Sequence, residues 1–280
     1  MTEQKINRAT APQAENEGVL HLELKPGDVP PYVLLPGAPE RTEIIGSTWD
    51  EHKLVAYNRE YRTVSGVYKN TPMATVSTGI GTASSEICIH ELNTLGVHTC
   101  IRVGSTGSIV PEFDLGDLII LLGAVRRDGT SDSYIDPAFP AYADFRVVNA
   151  LQEACENLGY RYGFGIAYTA ASFYIGQARP LREDGTGYWS SDKDHLIEDL
   201  RRAGVTNIEM EAAGQFVVGA LHGMRMGGIM SVLANRVTDR WGDQGGEVKA
   251  CRAASEALAI LARKDKENES QYCIRKGYKI

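Results

Sequence analysis

The 280-residue sequence contains no apolar run approaching the roughly 18 to 20 residues that a membrane-spanning helix needs. Its first stretch, Met1 to Gly18, is polar and carries no hydrophobic segment of the signal-peptide kind. A soluble, cytoplasmic protein with no membrane partner is the expectation. Cysteine is sparse: Cys88, Cys100, Cys155, Cys251 and Cys273 occur singly, without CxxC pairing or a nearby histidine cluster. That spacing argues against a zinc site or a disulfide framework, and for small buried hydrophobes. Surplus positive charge is missing too. With 29 Lys and Arg against 36 Asp and Glu, the net charge is -7. Such a chain lacks the basic surface that displaces counterions from nucleic acid. A few arginines in a cleft can still hold a small anion, because a guanidinium fork pairs with phosphate or carboxylate whatever the overall charge.

What is present is ordinary for a globular domain, 43% hydrophobic and 23% charged residues over a length that buries one sizeable core. No internal repeat or linker divides it. Residues 1–18 and 264–280 read as polar and charged tails around a domain over 19–263. Short apolar runs rich in β-branched residues predict strands at Tyr32 to Leu35, Met73 to Ser77, Thr99 to Val103, Leu118 to Leu122, Phe164 to Thr169 and Gly228 to Ala234. Between them, apolar residues in steps of three and four predict helices: Cys88, Leu92 and Leu95 closed by Gly96, and Val148, Leu151, Cys155 and Leu158 closed by Gly159. Leu196 and Leu200 before Gly204 repeat the scheme, and a last long helix turns Cys251, Ala254, Leu258 and Leu261 inward. Strands alternating with helices imply an α/β fold, a single domain with a central mixed sheet flanked by helices.

Several segments at strand ends are suited to chemistry. Pro36-Gly37-Ala38-Pro39-Glu40-Arg41 follows the first strand; a glycine there lets an anion approach backbone N–H groups and Arg41 adds a fork, although taken alone the fragment reads more readily as a plain turn with a surface arginine. Gly79-Ile80-Gly81-Thr82-Ala83-Ser84 mimics a dinucleotide fingerprint, but Ser84 stands at the third glycine position and no acidic residue ends the next strand. That next strand carries Arg102, followed by Gly104-Ser105-Thr106-Gly107. An arginine inside an apolar strand needs either an acidic partner or an anion. Phe173-Tyr174-Ile175-Gly176-Gln177-Ala178-Arg179 combines an aromatic face with an amide that offers a donor and an acceptor, which matches a planar base. Glu209-Met210-Glu211 precedes an apolar helix. A carboxylate there suits either the helix dipole or a pair of ribose hydroxyls. Asn235-Arg236 puts one more arginine after a strand.

Taken in order and spacing, over about residues 19–262, these segments resemble the nucleoside phosphorylase family of the purine and uridine phosphorylase type, most closely its bacterial uridine-cleaving members. The resemblance implies reversible phosphorolysis of uridine to uracil and ribose 1-phosphate, with phosphate as co-substrate and no organic cofactor. It implies phosphate binding by Gly37, Arg41, Arg102 and Ser105, with Arg59 contributed by the partner subunit across an interface, in dimers or a hexameric trimer of dimers. It implies ribose binding by Met210, Glu211 and an intersubunit His21, and uracil binding by Phe173, Gln177, Arg179 and Arg236. Arg102, Arg179 and Arg236 would carry the catalytic charge stabilisation, and Glu60, Ile80 and Ser84 would form a monovalent-cation site, such as one for K+. Ser105 stands where the family usually has threonine, and Pro180 to Asp194 departs from its pattern. A purine-cleaving enzyme, a nucleosidase of the same fold, or a non-catalytic nucleoside-binding protein is the alternative; an aspartate near Asn235 would favour purines.

Overall fold

The computed structural model describes residues 18–267. Its elements are β1 (Tyr32–Pro36), α1 (Pro39–Gly46), β2 (Glu51–Asn58), β3 (Tyr61–Tyr68), β4 (Thr71–Val76), α2 (Thr82–Thr94), β5 (Thr99–Ser108), β6 (Leu118–Arg127) and β7 (Ala141–Tyr142). They continue with α3 (Phe145–Leu158), β8 (Tyr162–Ala170), α4 (Leu196–Arg202), β9 (Asn207–Glu209), α5 (Ala212–Leu221), β10 (Arg225–Asn235), β11 (Arg240–Trp241) and α6 (Gly246–Glu267). Each apolar run read from the sequence lies in a strand of one mixed sheet. The glycines expected to close helices do so with left-handed backbones: φ is 90° at Gly96, 66° at Gly159 and 84° at Gly204.

The strand order is β11-β10-β6-β8-β9-β5-β1-β4-β3-β2, and β10 also pairs with β5. Strands β5, β10, β6, β8 and β9 therefore close into a small barrel, from which β1, β4, β3 and β2 extend as an open wing. The alternation in β1 shows why both faces are covered. Val33 and Leu35 join a core cluster with Cys88, Leu92 and Phe216 of α2 and α5, whereas Leu34 joins Leu151, Cys251 and Leu258 of α3 and α6 on the other face. All four cysteines among the described residues are free and buried; Cys273 lies outside them. No helix of the described residues is long and apolar enough to cross a membrane.

One feature of β5 positions the site. On one side it pairs with β10 along its whole length, from Thr99 to Ser108. On the other side β1 holds it only as far as Val103, and β9 takes over at Gly107. Between those two partners the sheet splits at Gly104, Ser105 and Thr106, the kind of crevice at which open α/β sheets bind ligands.

The structure differs from the sequence reading in several places. β5, β6 and β10 run on past their apolar runs, so Gly104 to Ser108 and Asn235 are strand residues. β2 and β3 were not read as strands, since β2 is largely exposed and in β3 arginine, threonine, serine and glycine break up the apolar residues, and neither were the two- and three-residue strands β7, β9 and β11. The stretch taken as a charged tail from Lys264 begins as the last turn of α6. Asp265 in that turn accepts from Arg225 Nη1 at 2.8 Å and Nη2 at 2.5 Å, and from the Tyr32 hydroxyl at 2.7 Å, so it fastens α6 to the starts of β1 and β10. Residues 1–17 and 268–280, with most of both predicted tails, lie outside the described residues.

Candidate active site

The split in the sheet opens into a cavity of about 670 Å³, within the range of small-molecule sites. Gly37, Arg41, Arg102, Ser105, Phe173, Gln177, Arg179, Met210 and Glu211 all line it, as do Glu60, Ile80 and Ser84. The sequence separates these residues by up to 174 positions, from 37 to 211; the crossing of β1, β5, β8 and β9 brings them to one place.

Arg102 occupies a core-facing position of β5 and is 3% exposed. Its Nη2 lies 2.5 Å from Glu211 Oε2, and its Nε lies 3.1 Å from Glu209 Oε2 without being aligned for a hydrogen bond. The sequence had left an acidic partner and an anion as alternatives. Here the arginine has two acidic partners and also lines the cavity. Gly104 makes this possible, since a Cβ there would meet Met230 Cε at 2.3 Å and Arg102 Nη2 at 3.0 Å.

The two carboxylates differ in role. Glu209 accepts from the backbone N–H groups of Glu211 and Ala212, both at 2.8 Å, and from the Thr169 hydroxyl. It therefore holds the start of α5, and its lone pairs are engaged in structure. Glu211 accepts from Gly81 N at 2.5 Å and stands on the cavity wall beside Met210. Burial pushes its carboxyl above the ordinary carboxylate range; Arg102 opposes the shift and Glu209 reinforces it.

Arg41, at the first turn of α1, is the second cation on this wall. It donates through Nη1 to Val103 O and through Nη2 to Glu247, both at 3.2 Å, while its buried Nε has no aligned acceptor. Gly37 hugs the neighbouring loop: Gly79 N donates to Gly37 O at 3.0 Å, and a Cβ on Gly37 would stand 3.3 Å from Gly79 O. Ser105, on the same strand as Arg102, lines the cavity with both arginines. At the rim, Ser84 Oγ lies 2.7 Å from Glu60 Oε1 and 2.6 Å from Thr78 O, and Ile80 is exposed. The Ser84 contact is the main cause holding the Glu60 carboxyl below its usual range. No group of three or more His, Cys, Asp or Glu among the described residues is arranged to hold a metal.

A short 3₁₀ turn over Ile175–Gln177 carries the expected base-reading residues to the cavity wall. The Arg179 guanidinium stacks on the Phe173 ring at 4.2 Å and donates to Phe173 O at 2.9 Å and to Gln177 Oε1. Gln177 is 3% exposed, and with its oxygen engaged it offers its amide NH₂ to the cavity. Burial, and then the nearby Arg236, draw the Arg179 guanidinium below its ordinary range.

Arg236 departs from its expected place. It is not on the cavity wall; its guanidinium reaches behind the turn and donates to Gln177 O and, at 3.1 Å, to Ala178 O. Ala178 there has a left-handed φ of 50°, and the clamp on its carbonyl helps hold that unfavourable backbone. The preceding Asn235 is likewise structural. Its Nδ2 donates to Val110 O at 3.1 Å and Phe113 O at 2.6 Å, and its Oδ1 accepts from Val237 N and Thr238 N.

His21 and Arg59 also lie off the wall of their own chain's cavity, but beside each other. Arg59 sits in the β2–β3 turn with φ 53°, and the adjoining Asn58 donates through Nδ2 to His21 O at 2.9 Å. His21 Nδ1 is 2.6 Å from Glu91 Oε1, which orients the ring. One residue that the sequence reading had missed is Trp241. Carried on β11 and 66% exposed, it completes the wall next to Leu233 and Ala234. An aromatic isolated in the polar run Thr238 to Gln244 was the available signal.

A family model described as "Phosphorylase superfamily" matches residues 31–264. The uridine phosphorylase of Thermococcus kodakarensis is 49% identical over 266 residues, which is 95% of each chain. The guanosine phosphorylase of Halorubrum lacusprofundi is 33% identical, with 78% of this chain and 83% of that one covered. Among solved structures, uridine phosphorylase from Vibrio fischeri ES114 superposes with a TM-score of 0.76 at 34% identity, covering 86% of this chain and 96% of that one.

Proposed function

We propose, for a chain that belongs to the phosphorylase superfamily, that the reaction is the reversible phosphorolysis of uridine to uracil and ribose 1-phosphate. The observation that carries this reading is one cavity lined by two guanidiniums, the half-buried Arg41 and the buried Arg102, together with Phe173, Gln177 and Arg179. An anion fits one end and a planar base the other, and Glu211 with Met210 lies where the sugar between them would be. The name of the 49% identical relative points the same way.

The chemistry follows from charge. A phosphate oxygen attacks C1′ as the bond from C1′ to N1 of the base breaks, so the sugar becomes cationic and the uracil anionic; water then protonates the released base. Arg41, Arg102 and Ser105, with the Gly37 backbone, hold the nucleophile, and its charge steadies the sugar cation. Glu211 accepts from the ribose hydroxyls. Gln177 donates to a uracil carbonyl and Arg179 stabilises the charge that develops there. Arg236 acts through the turn it clamps.

The partner subunit's Arg59 and the partner subunit's His21 complete the site in this reading, so the chain works as a dimer or a trimer of dimers. A monovalent cation such as K+ at Glu60, Ile80 and Ser84, and a cytoplasmic location, belong to the same reading.

The direct test is uracil release from uridine with and without phosphate. Turnover is expected only with phosphate, with ribose 1-phosphate as co-product. Equal rates in phosphate-free buffer would leave a nucleosidase, faster cleavage of inosine or guanosine would move the assignment to purines, and binding without turnover would leave a sensor. A finer expectation separates the two base-end arginines. Arg179→Ala should lower kcat for uridine, since it removes a group that meets the developing charge. Arg236→Ala should chiefly raise KM, by roughly 5- to 30-fold for about 1 to 2 kcal/mol of lost ordering in the turn. Steady-state kinetics on both variants, with phosphate KM as the control, decide it; a fall in kcat alone for Arg236→Ala would return that residue to the reaction centre.

A further inference from the structure

Away from the cavity, α2 and α5 pack along each other. Their starts are joined at Gly81 and Glu211, where the backbone N–H meets the carboxylate at 2.5 Å. Further along, His90 of α2 meets His222, the residue after α5, with His90 Nδ1 3.3 Å from His222 Nε2. The ring centres are 5.1 Å apart and the planes are tilted by 55°. Neither imidazole takes part in the chemistry above.

That geometry distinguishes two arrangements. Two metal–nitrogen bonds of about 2.05 Å spread at a tetrahedral angle put the nitrogens about 3.3 Å apart and, with each ring centre about 1.15 Å behind its nitrogen, the centres about 5.2 Å apart. A straight nitrogen-to-nitrogen hydrogen bond of the same length would put the centres about 5.6 Å apart. The observed 5.1 Å is that of ring nitrogens turned toward a common point, which either a bent hydrogen bond between the two rings or a shared ion satisfies.

We infer that His90 and His222 form a two-imidazole site for a divalent transition-metal ion, zinc, nickel or copper, with water completing the coordination. No third His, Cys, Asp or Glu joins them among the described residues. Affinity is therefore modest and follows the order in which copper exceeds nickel and zinc. The bound ion ties α2 to α5 at the ends away from Glu211, and so stiffens the helix pair whose starts hold the ribose carboxylate.

The test is calorimetric titration of the metal-stripped, full-length protein with Cu²⁺, Ni²⁺ and Zn²⁺ near neutral pH. One ion per chain is expected, bound most tightly as Cu²⁺. His90→Ala and His222→Ala should each weaken Cu²⁺ binding by at least about 10-fold, while uridine turnover without added metal stays at the wild-type level. Ni²⁺ should raise the melting temperature of the wild type and of neither variant. Affinity that is the same in the wild type and both variants places the ion elsewhere and overturns the site. So does the absence of binding heat for all three ions.

Discussion

Arg102→Ala should lower kcat/KM for uridine by on the order of 10² to 10³, the usual effect of losing one positioned donor to a transition-state anion. The structure adds a second expected loss. Arg102 lies between Glu209 and Glu211, all three at most 5% exposed, so the alanine variant leaves two buried carboxylates without their cation. Breaking a buried pair in that way costs about 3 to 5 kcal/mol. The variant should therefore melt well below the wild type, and Glu211 should bind a proton more readily than it already does. Arg102→Lys separates the two effects. A lysine keeps the charge among the carboxylates but not the planar fork, so it should recover most of the stability and little of the activity. Thermal melts and phosphate-dependent kinetics on both variants check this. Wild-type activity in either one would remove Arg102 from the phosphate site.

Arg59→Ala and Arg41→Ala, each nearly inactive alone, should regain activity when mixed and reassembled. Arg41 lines the cavity of its own chain, whereas Arg59 sits beside His21 on the β2–β3 turn, off that wall. If each site draws Arg59 from the partner subunit, a mixed dimer has one site with both lesions and one with neither. Random pairing makes half the dimers mixed, so up to about a quarter of wild-type activity returns. Arg41 suits this experiment better than Arg102, because its acidic partner Glu247 is 32% exposed and tolerates the loss. Native mass spectrometry confirms that mixed dimers form. Activity that then stays at the level of the parents would mean that Arg59 does not act across the interface.

Much of this site was legible in the sequence because its residues are tied to strand ends. Gly37 and Ser105 follow apolar runs and Arg102 is next to the last residue of one, and in an α/β fold those ends converge at one edge of the sheet. The side on which a residue's side chain emerges was not legible. Arg236 follows the end of β10, yet Asn235 accepts from Val237 N and Thr238 N and turns the chain, which sends the Arg236 guanidinium to the Gln177 and Ala178 carbonyls. Glu209 and Glu211 are two residues apart and were equally plausible acids. Both line the cavity, and only the placement of Thr169 and the first turn of α5 around Glu209 ties that carboxylate into the fold.

By itself the sequence determined the elements whose signal is local: six apolar strands, the helices with their glycine ends, and the set of strand-end motifs whose order marks a nucleoside phosphorylase. Periodicity and capping act over a few residues, so they survive in the string of letters. The tertiary structure alone decided what depends on distant partners. It closed β5, β10, β6, β8 and β9 into a barrel and split β5 from β1 at Gly104. It paired Arg102 with carboxylates more than 100 positions away and set His90 against His222 across two helices. Those contacts are fixed by the packing of whole layers, in which the direction of a side chain follows from where its backbone is held.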